Sequence, residues 1–200
     1  VDERMCKDGA DMLSRMINTE SKGRRLSREE AIKLSIQVFI AGVDTVVNLL
    51  GFVFLFLARN KNHRLQISQG KTSAAQAVEE ILRRFPIVTV AREVTEDMEF
   101  HGVHLKAGDI VAAPTPLAGM DTTFTPNAVD VEFGRKDGTS LTFGRGAHTC
   151  PGKNLARVEL RIAIEEWLKR IPDFHVDGDS PVSFSSGIVG VVNELNLRWS

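Results

Sequence analysis

The chain has 200 residues, of which 42% are hydrophobic and 26% charged, and its formal net charge is −1 at pH 7. A chain of this size and composition can bury a core and form one or two ordinary domains. Because it has neither a basic excess nor an acidic tail, we do not expect nucleic acid as a partner.

The first helix along the chain is predicted over residues 5–18.

Two cysteines, Cys6 and Cys150, are too few for a disulfide framework. A single disulfide bridge is one alternative, but a reduced, cytoplasmic chain is the better interpretation.

The polar N-terminal stretch lacks the apolar segment of a signal peptide, so we expect no signal peptide in it.

A long helix is predicted over residues 28–60, and Ser27 followed by Glu30 forms a capping box at its start. Residues 38–58 have the length of a membrane span. Asp44 would be costly in lipid, however, and positive residues lie at only one end. We therefore expect no membrane association, but a helix buried in a large domain with its few polar residues facing a site.

The rest of the chain mixes helical spacing with short alternating segments. In chain order, the pattern predicts a helix over 72–85, antiparallel strands within 87–114 that turn at His101-Gly102 and Ala107-Gly108, an irregular segment over 114–142, a helix over 152–171 ending before Pro172, and strands near 182–184 and 195–199. The predicted fold class is mainly α with small antiparallel β-sheets.

Residues 143–152, FGRGAHTCPG, place Cys150 in a glycine-rich loop before a helix. A helix N-terminus favours a thiolate over a thiol. Gly144, Gly146 and Gly152 allow unusual backbone shapes and the close approach of a flat group. The alternative is a buried structural cysteine, which is the commoner role of a lone cysteine.

Three motifs resemble those of one family, the cytochromes P450. The loop pattern FGxGxHxCxG over residues 143–152 resembles its haem-binding signature, AGVDT over 41–45 resembles its oxygen-binding segment, and EILR over 80–83 resembles its E-x-x-R pair. Shared runs make the bacterial camphor 5-monooxygenase group most similar. The resemblance implies that residues 1–200 form the C-terminal half of the cytochrome P450 fold, with an oxygen-binding helix over 28–60, the E-x-x-R helix over 72–85 and the cysteine haem loop over 143–152.

The resemblance implies a haem b cofactor whose iron is ligated by the thiolate of Cys150. His148 and Arg92 would each donate to a haem propionate. Phe143 would lie near the sulfur and limit access of water. The remaining positions expected to contact the cofactor are Gly144, Gly152, Ala41 and Gly42.

The resemblance also assigns roles away from the cofactor. Thr45 would supply a hydroxyl beside oxygen, and Asp44 would relay protons from solvent. Glu80, Arg83 and Arg135 would form a structural triad. The alternative for Glu80 and Arg83 is an ordinary solvated surface pair, and the alternative for Asp44 is a carboxylate on the helix face that is paired with an arginine.

The substrate implied is a small hydrophobic molecule, such as the monoterpenoid camphor, hydroxylated with O2. Apolar side chains would hold it by shape, with Gln37 as a polar departure from the camphor enzyme. The pocket-facing positions are Gln37, Ile40, Val88, Ile188 and Val189. Electrons would come from a 2Fe-2S ferredoxin with an NAD(P)H-dependent reductase, docked on Arg145, Lys153 and Arg157 around the cysteine loop.

Other functions remain open. A Cys-Pro dipeptide also occurs in haem-sensing proteins that bind haem without catalysis, and an inactive truncated cytochrome P450 is a further alternative. A peroxide-using or dehydrating haem-thiolate enzyme is disfavoured by the Asp44-Thr45 pair, which such enzymes do not need.

Overall fold

The computed structural model describes residues 1–5, 9–21, 23–137 and 140–199. Cys6 lies outside these residues, so its predicted reduced state stays a prediction. The chain divides into two compact units, Val1–Thr45 and Val46–Ser200. The predicted class, mainly α with small antiparallel sheets, is confirmed.

The helices and strands follow one another in this order along the described residues: α1 Asp2–Met5, α2 Met12–Ile17, β1 Glu20–Ser21, β2 Arg24–Arg25, α3 Arg28–Arg59, α4 Lys61–Ser68, α5 Ala74–Arg84, β3 Thr89–Glu93, β4 Met98–Phe100, β5 Val103–Leu105, β6 Ile110–Pro114, α6 Thr115–Gly119, α7 Lys153–Arg170, β7 Phe174–Val176, β8 Ser183–Ser185, β9 Val191–Glu194 and β10 Leu197–Trp199.

The first unit corrects the single helix predicted over residues 5–18. Residues 9–11 are not helical, and Asp11 instead caps α2 by accepting a hydrogen bond from the Ser14 amide at 2.9 Å. An aspartate before a helix competes for the backbone amides and favours a new start over continuation.

The start of α3 is as predicted. The Glu30 amide donates to Ser27 Oγ at 3.2 Å, and the Ser27 amide donates to the Glu30 carboxylate at 2.8 Å, which completes the capping box. Hydrogen bonds from Arg24 and from the Ser27 amide lower the pKa of Glu30 to about 2.

The burial predicted for α3 holds for only part of its length. Leu49, Val53 and Leu57 are buried, whereas Ile36, Phe39 and several neighbours are more than half exposed. By length and composition α3 could cross a membrane, a property that it shares with the core helices of soluble proteins. Hydrophobic spacing therefore predicted the helix, but it did not predict which helical turns are buried by neighbouring elements.

The second unit has a core built from three helices. The C-terminal half of α3 packs with α5 and α7 through side chains that include Leu57, Ile81, Leu82, Leu160 and Ile164. Apolar residues occur on more than one side of α7, and those left exposed are Leu155, Val158 and Ile162.

The strands of the second unit form two-stranded antiparallel pairs, β3 with β6, β4 with β5, β7 with β10 and β8 with β9. His101 and Gly102 have φ values of 49° and 78° in the β4–β5 turn. The turns predicted there and at Gly108 are confirmed, since Gly108 also has a positive φ of 90°.

Candidate functional site

The cysteine loop is closed by its own backbone hydrogen bonds. The Cys150 amide donates to the Phe143 carbonyl at 2.9 Å, and the Gly144 amide donates to the Leu141 carbonyl at 2.9 Å. Gly144 and Gly146 both have a φ of 68°, a region that other residues rarely adopt. The glycines at these two positions are therefore required by the shape of the loop.

The thiol lies at the end of this loop, just before α7. Cys150 is a free thiol of intermediate exposure, and its carbonyl accepts from the Lys153 amide at 3.4 Å. Gly152 has a φ of −84°, so the unusual backbone expected there is wrong. A Cβ at position 152 would lie 3.9 Å from the Cys150 sulfur, an ordinary van der Waals distance.

Side chains attach the loop to α5 and α7. The Thr142 hydroxyl donates to the Leu82 carbonyl at 2.6 Å, near the end of α5. The Arg157 guanidinium lies over the Phe143 ring, 4.8 Å from its centroid, and is paired with Glu79. Phe143 is partly buried against the core.

Glu80, Arg83 and Arg135 come together as the sequence predicted. Arg83 donates to both oxygens of Glu80 at 2.8 Å, and Arg135 Nε donates to Glu80 Oε1 at 3.1 Å. The Glu132 amide adds a fourth hydrogen bond to Glu80 at 2.9 Å. The ordinary surface pair is excluded for Glu80 and Arg83, because each side chain is at most 5% exposed.

This network ties α5 to the last residue of α6 and to the irregular segment that follows it. Arg83 also donates to the carbonyls of Gly119, Ala128 and Asp130. Burial alone would raise the pKa of Glu80, but the hydrogen bonds from Arg83, the Glu132 amide and Arg135 together lower it below its ordinary value. Glu80 is thus held as a carboxylate.

The two predicted propionate donors are exposed. Arg92 lies in β3, where its Nη1 donates to the Ala91 carbonyl at 2.7 Å. His148 ends a 3-10 turn formed by Gly146–His148. Both side chains are accessible for ligand binding, and their shared role stays a prediction.

The predicted oxygen segment lies in α3 within the first unit. The Thr45 hydroxyl donates to the Ala41 carbonyl at 2.5 Å, and α3 runs without interruption through Gly42. The helix is therefore continuous at Gly42, and the contact of Gly42 with the cofactor stays a prediction. Asp44 is exposed rather than enclosed by apolar side chains.

The predicted substrate positions fall into two groups. In the second unit, Val88 forms an antiparallel bridge with Val189, and the Thr89 amide donates to the Ile188 carbonyl at 2.9 Å. Ile188 is 77% exposed. In the first unit, Gln37 and Ile40 are exposed on α3.

Sequence reasoning missed the residues that anchor the loop. Thr142 and Glu79 carry no local signal, because their partners lie 60 and 78 positions away. Arg157, expected with Arg145 and Lys153 to attract a redox partner, is paired with Glu79 in the structure, and its role toward such a partner stays a prediction.

Comparison with known proteins decides the family. The family model described as cytochrome P450 matches residues 2–70 and 73–187. The chain belongs to the cytochrome P450 family. Membership implies a haem with a cysteine thiolate ligand, and it confirms the resemblance drawn from the motifs.

Individual P450 relatives cover the whole chain. It is 34% identical to a probable cytochrome P450 127A1 of Sinorhizobium fredii over 95% of its length, and 31% identical to the mycinamicin IV hydroxylase/epoxidase of Micromonospora griseorubida over 100%. The crystal structure of CYP101J2 matches 100% of the chain with a TM-score of 0.93 and 46% identity.

The P450 chain spans about half the length of these relatives, 46% and 48% of the two proteins and 51% of the CYP101J2 chain. The names of further relatives refer to polyketide biosynthesis in Bacillus subtilis and to a steroid in Mycolicibacterium smegmatis. The relatives' names therefore do not agree on one substrate class.

Proposed function

We propose that this chain supplies the haem-thiolate part of a P450 monooxygenase, in which the thiolate of Cys150 would ligate the iron of haem b. The closed loop around Cys150 carries the proposal. The hydrogen bond from the Cys150 amide to the Phe143 carbonyl and the positive φ of Gly144 and Gly146 hold a free, partly exposed thiol at the start of α7.

The residues present fit a haem. A cysteine sulfur is a suitable axial donor, and Cys150 carries it without a disulfide partner. A Cβ built at Gly146 meets no atom within 4 Å beyond its chain neighbours, so no part of the protein covers this side of the loop backbone. Arg92 and His148 would donate to the propionates, and Gly144, Gly152, Ala41 and Gly42 would face the cofactor.

Bound haem supplies dioxygen activation, which a thiolate ligand assists by donating electron density. Within this chain, Phe143 would exclude water from the sulfur. Thr45 would hold a proton on its hydroxyl, which now donates to the Ala41 carbonyl, and the exposed Asp44 carboxylate would exchange protons with solvent.

The substrate proposed is a small hydrophobic molecule, with a monoterpenoid such as camphor as the first candidate. The pairing of Val88 with Val189 next to the exposed Ile188 supports an apolar surface. The resemblance also assigns Ile40 and Gln37 of α3 to substrate contact, with Gln37 as a polar contact. Shape rather than hydrogen bonding would then set the position of hydroxylation.

The partners proposed are O2 and a 2Fe-2S ferredoxin with its NAD(P)H-dependent reductase, in the cytoplasm. Arg145 is exposed in the cysteine loop, and Lys153 lies at the start of α7. These cations would attract an acidic partner, so association would weaken with rising salt.

The ligand assignment is tested in a chimera in which this chain replaces the matching half of CYP101J2. We expect its ferrous carbonyl complex to show the red-shifted Soret band of thiolate ligation. Cys150→Ala should abolish that band, whereas Cys6→Ala, the matched control, should keep it. An unchanged spectrum in Cys150→Ala would remove the assignment.

The substrate is tested by titrating the same chimera with terpenoids and following the low-spin to high-spin Soret shift. A response to monoterpenoids and product formation with ferredoxin support the proposal. Reversible haem binding with no turnover would favour the haem-sensing or inactive alternatives. A response to fatty acids alone would overturn the substrate class.

A further inference from the structure

An ion pair joins α5 to α7 beside the cysteine loop. Arg157 Nε donates to Glu79 Oε1 at 2.5 Å, and its Nη2 donates to Glu79 Oε2 at 3.1 Å. The ion pair is therefore bidentate. The two residues are 78 positions apart, and their side chains are 34% and 54% exposed. Bidentate geometry fixes the plane and position of the guanidinium more firmly than a single contact would.

The same guanidinium covers one face of Phe143. Its Cζ lies 4.8 Å from the ring centroid, a cation–π distance. The Phe143 carbonyl accepts a hydrogen bond from the Cys150 amide at 2.9 Å. The hydroxyl of Thr142, which precedes Phe143 in the chain, donates a hydrogen bond to the Leu82 carbonyl of α5. A continuous series of contacts therefore runs from Glu79 through Arg157 and Phe143 to the backbone of Cys150.

A neighbouring pair on α7 shows what the Glu79 contact adds. Arg161 Nη1 donates to Glu165 at 2.7 Å, with side chains 38% and 44% exposed. That pair lies within one helix at i,i+4 and resembles Arg157 in charge and exposure. This ion pair joins two residues of α7, so it cannot transmit position to the cysteine loop.

We propose that Arg157 is a positioning residue for the cysteine loop, held by Glu79 and acting through the ring of Phe143. This inference rests on the proposed function of Cys150, because its purpose is to fix the backbone that presents the thiol. It also means that Arg157 is engaged within the protein. Arg145 and Lys153 are then the cations left for a redox partner.

The test measures hydrogen–deuterium exchange in the 200-residue chain by NMR, without cofactor. The Cys150 amide reports the bond to Phe143 directly, and the Phe85 amide, which donates to the Ile81 carbonyl at 2.8 Å, reports the core. The quantity compared is the ratio of the Cys150 rate to the Phe85 rate, which separates local opening of the loop from global unfolding.

Arg157→Gln should raise this ratio about fivefold, the order expected for losing a cation–π contact and an ion pair that are partly exposed. Glu79→Gln should raise it in the same direction, and the double variant should exceed Arg157→Gln by little, because the two residues act as one unit. Arg157→Lys should not keep the ratio at its wild-type value, because the lysine ammonium lacks the planar, bidentate geometry of a guanidinium. Arg161→Gln, the matched control, should leave it unchanged.

An unchanged ratio in Arg157→Gln would overturn the inference, as would an equal rise in Arg161→Gln. If Arg157→Gln fails to fold, the inference is tested with Glu79→Gln by the same ratio of exchange rates, and an unchanged ratio in that variant would overturn it. Failure of the proposed function is seen separately, as a thiolate band that persists in the Cys150→Ala chimera. A lost band in that variant together with an unchanged exchange ratio would refute only the positioning role.

Discussion

Replacing Glu80 by Gln should strongly destabilise the second unit. The carboxylate is 5% exposed and accepts four hydrogen bonds, two from Arg83, one from Arg135 and one from the Glu132 amide. A glutamine keeps the volume but removes the charge, and its amide nitrogen would face guanidinium donors. Breaking a buried ion pair on one side costs about 3–5 kcal/mol.

The free energy of unfolding is measured by urea denaturation, with the fluorescence of Trp167 and Trp199 as the signal. Glu165→Gln is the matched control, because it removes the same charge from an exposed pair with Arg161 and should cost less than about 0.5 kcal/mol. A loss below about 1 kcal/mol in Glu80→Gln, or a loss equal to that of the control, would refute the reasoning.

A second variant separates charge from hydrogen bonding. Replacing both partners of a buried ion pair by apolar residues often restores stability. Here Glu80→Leu with Arg83→Met should not, because Arg83 also donates to the carbonyls of Gly119, Ala128 and Asp130, which would lose their donor. Full recovery in the double variant would show that these carbonyl bonds contribute little.

Three further predictions concern single features. Because the pKa of Glu80 is lowered, its contribution to stability is present above the unfolded-state pKa of about 4.3 and is lost as pH falls through the folded value, so the stability gap between wild type and Glu80→Gln should narrow below about pH 4. Gly144→Ala should cost about 1–2 kcal/mol in urea unfolding because of its φ of 68°, whereas Gly152→Ala, at −84°, should cost far less. Ser27→Ala removes the cap of α3 and should lower the unfolding free energy by about 1 kcal/mol, and no loss in circular dichroism melts would contradict the cap.

Features set by near neighbours in the chain were predictable from the sequence. The capping box at Ser27, the turn at His101-Gly102 and the pairing of Glu80 with Arg83 each depend on residues at most three positions apart. Such patterns act through local geometry, which the chain fixes before tertiary packing is known. The family motifs then supplied the expected order of the elements.

Features set by tertiary packing were not predictable. Apolar spacing predicted α7, but it could not show that Leu160 is buried while Leu155 is exposed. Arg64 gives no sequence signal, yet it is 2% exposed and donates to the Leu57 carbonyl at 2.9 Å. Periodicity identifies a helix with apolar residues on several sides, but only the neighbouring elements decide which side is covered.

The last prediction separates stability from function at Gly42. A Cβ built there meets no atom within 4 Å, and the residue lies inside α3, where glycine costs about 0.5–1 kcal/mol relative to alanine. Gly42→Ala should therefore raise the unfolding free energy by about that amount. Gly51→Ala, in the same helix, is the control: its Cβ would lie 3.1 Å from Val192 Cβ, so crowding should offset the gain.

If Gly42 faces the cofactor as proposed, the added methyl group should also weaken the terpenoid-induced spin shift in the CYP101J2 chimera, although the protein is more stable. A loss of function with a gain in stability is characteristic of a residue retained for a site rather than for folding. Gly42→Ala with raised stability and an unchanged spin shift would exclude Gly42 from the site. Lowered stability in Gly42→Ala would instead show that an added methyl group is crowded at this position. The space that is open around position 42 in the structure would then be occupied in solution.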